Sequence, residues 1–427
     1  MNKEYKIKNS NNYDNSAVKL MFLATLVYII SYFGRKSYDS NINEIMSFYG
    51  VNKSSAGLVG TFFFIVYACG QVFHGIMCKY YNPKYAISGA LVMASLCNLA
   101  MGVMPVEWFH YLKFVWLLNG FSMATLWSTI VRTFNKNFSK KRLKQALVFM
   151  AFPVSIGTFF IYGASALFSL LNRFKYTFYL ASLMLVVIAI VWFLFIDKLI
   201  YKSKLEKNAV DGATEEQFER KVKQEKVKID RGFYVLFGIL AFFAIINNFV
   251  KDGLNTWTPT IFTDKYNLEN WFAVLLTILL PLFAILGANL AITLSRKVKN
   301  YVVGCGVLYS TATLILGILL ILLNFNSWVV SLICFMLISA MMAGVNNIIT
   351  NVFPMQLKNG VDAGLIAGFI DGFCYVGSAL SSFGLGSIAE HADWNVIMYL
   401  FLGLCVFCVL TVAVFVLIQK IKSKKNA

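Results

Sequence analysis

The chain has 427 residues, of which 59% are hydrophobic and 14% are charged, and its formal net charge is +18. A soluble domain of this length does not carry so large an apolar fraction, so the composition predicts a protein that crosses a membrane many times. The positive charge lies in short loops and near both ends, as the positive-inside rule expects. We therefore expect the lipid bilayer as a partner, and no nucleic acid.

Hydropathy along the chain predicts about twelve transmembrane helices, and therefore an all-α integral membrane fold. Lys and Arg concentrate in the loops that follow even-numbered helices, which predicts a multi-pass protein of the plasma membrane with both termini in the cytoplasm. Since no small-residue cleavage site follows the first apolar run, we expect that run to be a retained helix. The predicted spans are 18–46, 54–79, 83–105, 108–135, 143–171, 175–200, 231–262, 270–296, 300–324, 327–355, 361–389 and 392–420.

The long polar stretch from Asp197 to Arg231 predicts a cytoplasmic linker, partly helical around 215–228. The motifs around Arg35 and Lys251 are 216 residues apart, which favours two six-helix bundles related by pseudo-two-fold symmetry, with a binding site between them. We expect a monomer. The predicted division is 1–17 cytoplasmic tail, 18–200 first bundle, 201–230 linker, 231–420 second bundle and 421–427 cytoplasmic tail.

Arg35 is the most informative residue of the first helix. The apolar run 20–34 before it spans only about 22 Å, whereas a hydrocarbon core is about 30 Å thick. The helix must therefore continue past Arg35 and carry this charge into the membrane, where charged residues normally face a cavity or a partner. Tyr28 and Tyr32 share its helical face. The alternative is an interfacial arginine that reaches outward to the headgroups.

Lys251 is the matching cation of the seventh helix, on a polar stripe that includes Asn255. One interpretation makes Lys251 an anion ligand that faces Arg35 across the pseudo-two-fold axis. Arginine would supply a planar fork and lysine a mobile point charge for a phosphate or a carboxylate. The other interpretation is a lysine neutralised by Asp252 or by Asp371.

The remaining candidates complete the predicted site. Gln71 lies about 12 Å deep in the second helix and could hydrogen-bond a substrate. Asp371, near the middle of the eleventh helix, must be protonated or paired. It either couples transport to protons or balances Lys251 and steadies the helix. The predicted substrate-binding residues are Arg35, Lys251, Tyr28, Tyr32, Tyr38, Gln71 and Asn255.

Other classes of chemistry have little support in the sequence. The three His are scattered and the eight Cys lie within apolar segments, so the spacing predicts no metal site. Neither a nucleophile with a base nor a cofactor motif is recognisable. We therefore expect no enzyme activity, cofactor or metal.

Two motifs resemble a known family. Tyr32-Phe-Gly-Arg35-Lys36 resembles the first-helix Y-F-x-R-K of the organophosphate:phosphate antiporters within the major facilitator superfamily, which include glycerol-phosphate and hexose-phosphate carriers. The stretch 249–260 resembles their seventh helix. The resemblance implies the major facilitator fold and transport of a small organic anion by alternating access, with phosphate or protons as counter-ion.

Four departures from that family's pattern concern charged or titratable positions. Lys251 stands where the family has an arginine, Gln71 where it has a lysine and Lys79 where it has an aspartate. Phe152 replaces a histidine of the glycerol-phosphate carriers. These departures favour a less charged anion, such as a sugar acid or a monoanionic phosphoester, over exchange for inorganic phosphate. A proton-coupled organic-anion symporter using Asp371 and a transport-dead membrane sensor of the same fold are alternatives.

Overall fold

The computed structural model describes residues 3–150, 152–211, 231–298, 300–322, 327–355 and 363–425. All regular structure in these ranges is helical, and twelve of the helices there are long and apolar enough to cross a membrane. This confirms the predicted all-α membrane fold class. The spans are α1 (Ser16–Tyr49), α2 (Lys53–Tyr80), α3 (Pro83–Val103), α4 (Val106–Asn137), α5 (Pro153–Leu170), α6 (Lys175–Asn208), α7 (Gly232–Tyr266), α8 (Asn270–Lys297), α9 (Tyr301–Leu322), α10 (Trp328–Val352), α11 (Gly368–His391) and α12 (Trp394–Ile421).

Several helices extend beyond these spans. The helix that forms the first part of α1 is Lys3–Lys36, and the one that contains α6 is continuous from Lys175 to Asp211. The first part of the predicted linker is therefore helical, while residues 212–230, with the helical stretch predicted at 215–228, lie outside the described residues. The helices that contain α7, α11 and α12 are Arg231–Tyr266, Ala363–His391 and Trp394–Lys425.

A short 3₁₀ turn at Asp39–Asn41 interrupts α1 just beyond Arg35. The side chain of Asn41 donates to the carbonyl oxygen of Ser37 at 2.7 Å, so a side chain satisfies a carbonyl at the break. Ser165 of α5 donates to the carbonyl oxygen of Ser40 at 2.9 Å. The outer part of α1 is thus a separate helical segment, Ile42–Tyr49, that ends at Gly50 in the left-handed conformation (φ 62°).

Three other predicted spans are interrupted where sequence periodicity alone predicts continuous helices. The span 143–171 consists of Lys140–Phe149 and Pro153–Leu170, because proline opens a helix readily but cannot continue one. The eighth span divides into Asn270–Thr277 and Leu279–Lys297. Near its end, α10 widens into a π-helical turn, Ile348–Val352, shortly before Pro354.

Each half of the chain has its own apolar core. The first contains the fully buried rings of Trp116, Phe134 and Trp192, and the second contains those of Trp257 and Phe335. Large exposed side chains on the outer faces are also apolar, among them Leu194, Leu314, Ile321 and Leu417. An apolar exterior around two apolar cores is what a bilayer requires.

The two halves meet mainly at one end, which we call the closed end: the end that carries the α1–α2, α7–α8 and α11–α12 turns. Here Lys53 of α2 pairs with Asp264 of α7 at 2.8 Å. The backbones of α2 and α11 approach so closely that a Cβ on Gly57 would lie 2.2 Å from the Ser382 carbonyl oxygen. Further hydrogen bonds between the halves at this end join Asn43 to Thr260, Thr263 and Asn270, Glu44 to Asn270, and Thr61 to Ala379.

The predicted orientation can be tested by cysteine labelling. In a variant without reactive native thiols, single cysteines at the exposed positions Glu107 and Glu269 should react with a membrane-impermeant maleimide added to intact cells. Cysteines at Lys79 and Lys141, exposed at the opposite end, should react only after the membrane is opened. Labelling of Lys141→Cys in intact cells would reverse the orientation.

Candidate functional site

Arg35 lies in the interior between the two halves, where α1 continues past it before the break at Asp39. Its side chain is only 6% exposed. The guanidinium carbon lies 4.6 Å from the centroid of the Tyr32 ring and 4.4 Å from that of the Tyr67 ring, both cation–π distances. Its Nη2 donates to the Tyr375 hydroxyl at 3.0 Å, which links α1 to α11 across the halves.

Aromatic and amide groups surround this guanidinium. The rings of Tyr67 and Tyr375 are 4.3 Å apart, so α2 and α11 contact each other beside Arg35. Gln71 donates to the Tyr67 hydroxyl at 3.1 Å. On the other side Tyr28 packs edge-on against Tyr32, with ring centroids 5.8 Å apart. These contacts fix the position of Arg35 through neutral groups.

Arg35 has no carboxylate partner within ion-pair distance among the residues that the structure describes. Its Nε is buried and makes no hydrogen bond in that part of the chain. A buried donor on a charged group without a partner is costly, and an anion would satisfy it. The guanidinium therefore has unused capacity to bind an anion.

The other two cations near Arg35 are already paired. Lys251 lies 3.7 Å from Asp252 and 3.4 Å from the Asn248 side-chain oxygen. Ser378 of α11 donates to Asp252 at 2.5 Å. Lys36 contacts Asp39 at 2.6 Å. Of the two partners that the sequence left open for Lys251, the structure places Asp252 at contact distance.

Asp371 differs from the other carboxylates of this region. It is half-buried on α11 and makes neither a hydrogen bond nor an ion pair with any described residue. The charges of Arg35 and Lys251 nevertheless both act on it. The free cation and the free carboxylate of this region therefore influence each other without direct contact.

The structure gathers most, but not all, of the predicted substrate-binding residues. Arg35, Tyr28, Tyr32 and Gln71 form the cluster described above. Asn255 lies one turn beyond Lys251 on α7, and its backbone oxygen accepts from Tyr162 of α5 at 3.1 Å.

Tyr38 does not join this cluster. Its hydroxyl donates to the Ala56 carbonyl oxygen at 2.8 Å, and its ring packs 5.5 Å from that of Trp116 within the first core. The side chain of Tyr38 therefore faces α2 and α4. We therefore do not include Tyr38 among the proposed substrate contacts.

Two residues of the site were not predicted as ligands. Tyr67 lies one turn from Gln71 on α2, and Tyr375 lies one turn from Asp371 on α11. The i, i+4 spacing could have indicated both, because such residues share a helical face. In the described residues no group of three His, Cys, Asp or Glu side chains could hold a metal ion. The chemistry available here is reversible anion binding.

Comparisons with known proteins show the family and the fold. The sequence model of the Major Facilitator Superfamily matches residues 24–382. A probable hexose phosphate transport protein of Chlamydia trachomatis is 22% identical over 88% of this chain and 86% of its own length. The membrane sensor protein UhpC of Escherichia coli is 23% identical over 87% and 85%.

A solved structure gives the same fold. The xylose transporter XylE from E. coli, in an inward-open conformation, superposes with a TM-score of 0.71 at 11% identity and covers 93% of this chain and 95% of its own. The likeness supports two six-helix bundles.

The Tyr375 hydroxyl can be tested by removing it alone. Tyr375→Phe keeps the ring contact with Tyr67 but loses the hydrogen bond to a charged group, which should lower the free energy of unfolding by about 1.5 kcal/mol. Thermal unfolding of the purified protein measures the change in Tm. Tyr399→Phe, at a 60% exposed position of α12, is the control. Equal Tm values for the two variants would contradict a role of this hydroxyl in holding Arg35.

Proposed function

Because the chain belongs to the major facilitator superfamily, we propose that it is a secondary transporter that moves a small organic anion across the plasma membrane by alternating access. The anion is a phosphoester or an acid of a sugar. Arg35 is its main ligand and Lys251 its ligand from the second half. Tyr28, Tyr32, Gln71 and Asn255 contact the rest of the molecule. The transporter acts as a monomer, since one chain supplies both halves of the site.

The observation that best supports this proposal is the environment of the Arg35 guanidinium. It is buried between the halves, held by two aromatic rings and one hydroxyl, and keeps a buried donor without a partner. Arginine suits this role because its planar fork matches the two oxygens of a carboxylate or phosphate. An unpaired charge at this depth favours binding of an anion over a purely structural role.

Alternating access follows from the position of the contacts between the halves. With both termini in the cytoplasm, the closed end faces outward and the conformation is inward-facing. An anion that contacts Arg35 and Lys251 together attracts both halves, which stabilises states in which they approach each other around it. Lys251 would then exchange part of its contact with Asp252 for the anion.

The sugar part of the proposal rests on the named relatives. One is a probable hexose phosphate transport protein, and another is a membrane sensor protein that this chain also matches over most of its length. The aromatic rings of Tyr28, Tyr32 and Tyr67 beside Arg35 suit the apolar faces of a sugar ring, and Gln71 suits its hydroxyls.

The Arg35→Lys variant keeps the positive charge but loses the planar guanidinium, which can donate two parallel hydrogen bonds to one anion. Affinity for a bound sugar phosphate or sugar acid should fall by at least about tenfold, or ~1.4 kcal/mol. Ligand-induced thermal stabilisation of the purified protein measures the affinity. The control is Arg132→Lys, an exposed arginine on α4. Unchanged affinity in Arg35→Lys would remove Arg35 as the main ligand, and binding without flux in vesicles would identify a sensor rather than a transporter.

A second candidate function is proton-coupled symport of the anion. The observation that favours it is Asp371, a half-buried carboxylate without a hydrogen bond or ion pair among the described residues. The charges of Arg35, Lys251 and Asp252 all lie near enough to act on this carboxylate. An anion that neutralises Arg35 changes the charge near Asp371, so binding of the anion and binding of a proton at Asp371 would be linked.

Asp371→Asn separates the two candidates. In a symporter this variant should lose accumulation driven by a pH gradient, while exchange of labelled for unlabelled anion across vesicle membranes continues. Asp393→Asn, in the exposed turn between α11 and α12, removes a carboxylate outside the site and should behave as wild type. Wild-type pH dependence of uptake in Asp371→Asn would leave simple anion exchange as the better account.

A further inference from the structure

We propose that the site selects singly charged anions, such as sugar carboxylates or sulfate esters, over doubly charged phosphate monoesters. This inference rests on the proposed function, since it names the substrate class of that same site. It follows from how the charges between the two halves are distributed among partners.

The charged side chains that act on one another here come from three helices. The helices α1 and α7 supply all three cations and two of the carboxylates, and α11 supplies the third carboxylate. These side chains are Arg35, Lys36, Lys251, Asp39, Asp252 and Asp371. With every group ionised they sum to zero, and with Asp371 protonated they sum to one positive charge.

Two of the three cations are neutralised within the protein. The Lys36 and Asp39 side chains are 14% and 5% exposed and lie 2.6 Å apart. Those of Lys251 and Asp252 are 20% and 12% exposed, and Ser378 holds Asp252 in place. To recruit either cation fully, an anion must leave a buried carboxylate without its partner, which is strongly unfavourable.

The side chains of α2 that lie beside Arg35 add no further charge to this region. Gln71 and Tyr67 point to the Arg35 cluster and bond to each other, and both are neutral. His74, one turn further, is turned away from the cluster: its ring nitrogens contact the Tyr81 hydroxyl at 2.8 Å and that of Thr125 at 3.2 Å. Arg35 is therefore the cation left for a ligand in this cluster.

One free guanidinium balances one negative charge. A carboxylate or a sulfate ester on Arg35, with a proton on Asp371, makes the region neutral. A phosphate monoester, which carries −1.5 to −2 charges at pH 7, leaves an excess negative charge next to Asp252 and Asp371. An uncompensated charge in so buried a place lowers affinity.

Three ligands that share one pyranose ring test this directly: glucose 6-sulfate, glucuronate and glucose 6-phosphate. At about pH 7.5 the first two are monoanions and the third is mostly a dianion. Binding to the purified full-length chain, measured by thermal stabilisation, should be at least about tenfold tighter for glucose 6-sulfate than for glucose 6-phosphate. Equal or tighter binding of the phosphate overturns the inference and leaves the proposed function intact. Failure of all three to bind overturns both.

Two variants should shift the preference toward the dianion. Asp252→Asn frees Lys251 while its amide oxygen can still accept from Ser378, and Gln71→Lys adds a cation beside Tyr67. Each should improve the affinity for glucose 6-phosphate relative to glucose 6-sulfate by at least about fivefold. Asp197→Asn makes the same chemical change as Asp252→Asn at a 60% exposed carboxylate that pairs with Lys84, and should leave the ratio unchanged. An unchanged ratio in both site variants, each folded by its unfolding transition, contradicts the charge argument.

Discussion

A guanidinium charge inside a membrane protein needs stabilising contacts, and the kind of partner decides whether the charge can still bind a ligand. Here Arg35 lies against the faces of Tyr32 and Tyr67 and donates one hydrogen bond to Tyr375. Rings and a hydroxyl attract the cation without neutralising it, whereas a carboxylate would. The charge stays available, and the site depends on this.

The same contacts join the two halves of the chain. Tyr375 belongs to α11, so the groups that position Arg35 come from both bundles. At the closed end α2 and α11 touch backbone to backbone at Gly57 and Ser382, and Lys53 pairs with Asp264. Both sets of contacts lie on helices that the proposed alternating access would have to move. Whatever binds Arg35 therefore acts on the same helices that hold the closed end together.

The sequence was sufficient for the twelve membrane-spanning helices, because these follow from the lengths of apolar runs. It did not predict the breaks within four of them, because an apolar run does not show where the backbone hydrogen bonding changes. It left the partner of Lys251 open between Asp252 and Asp371, since a helical pattern does not tell how far a lysine reaches around its helix. The prediction for Tyr38 did not anticipate its packing against Trp116, because a helical pattern does not show which neighbouring helix a ring will contact. Tyr375 shares a helical face with Asp371, but the sequence of one helix does not show which residues of another helix that face will contact.

The pseudo-two-fold repeat explains why the free charge belongs to one half. At the offset of 216 residues Arg35 corresponds to Lys251, Lys36 to Asp252 and Asp39 to Asn255. In α1 the carboxylate follows one turn after the two cations and pairs with Lys36, which leaves Arg35 unpaired. In α7 the carboxylate of Asp252 directly follows Lys251 and pairs with it. The two helices at matching positions of the repeat thus present an unpaired cation on α1 and a paired cation on α7. An anion placed between the two helices would be attracted strongly by Arg35 of α1 and weakly by Lys251 of α7. Besides the paired Lys251, the second half would take part through Tyr375 and Asp371 of α11. Because coupling between two binding events is reciprocal, a change in the protonation of Asp371 would also alter how strongly Arg35 holds the ligand.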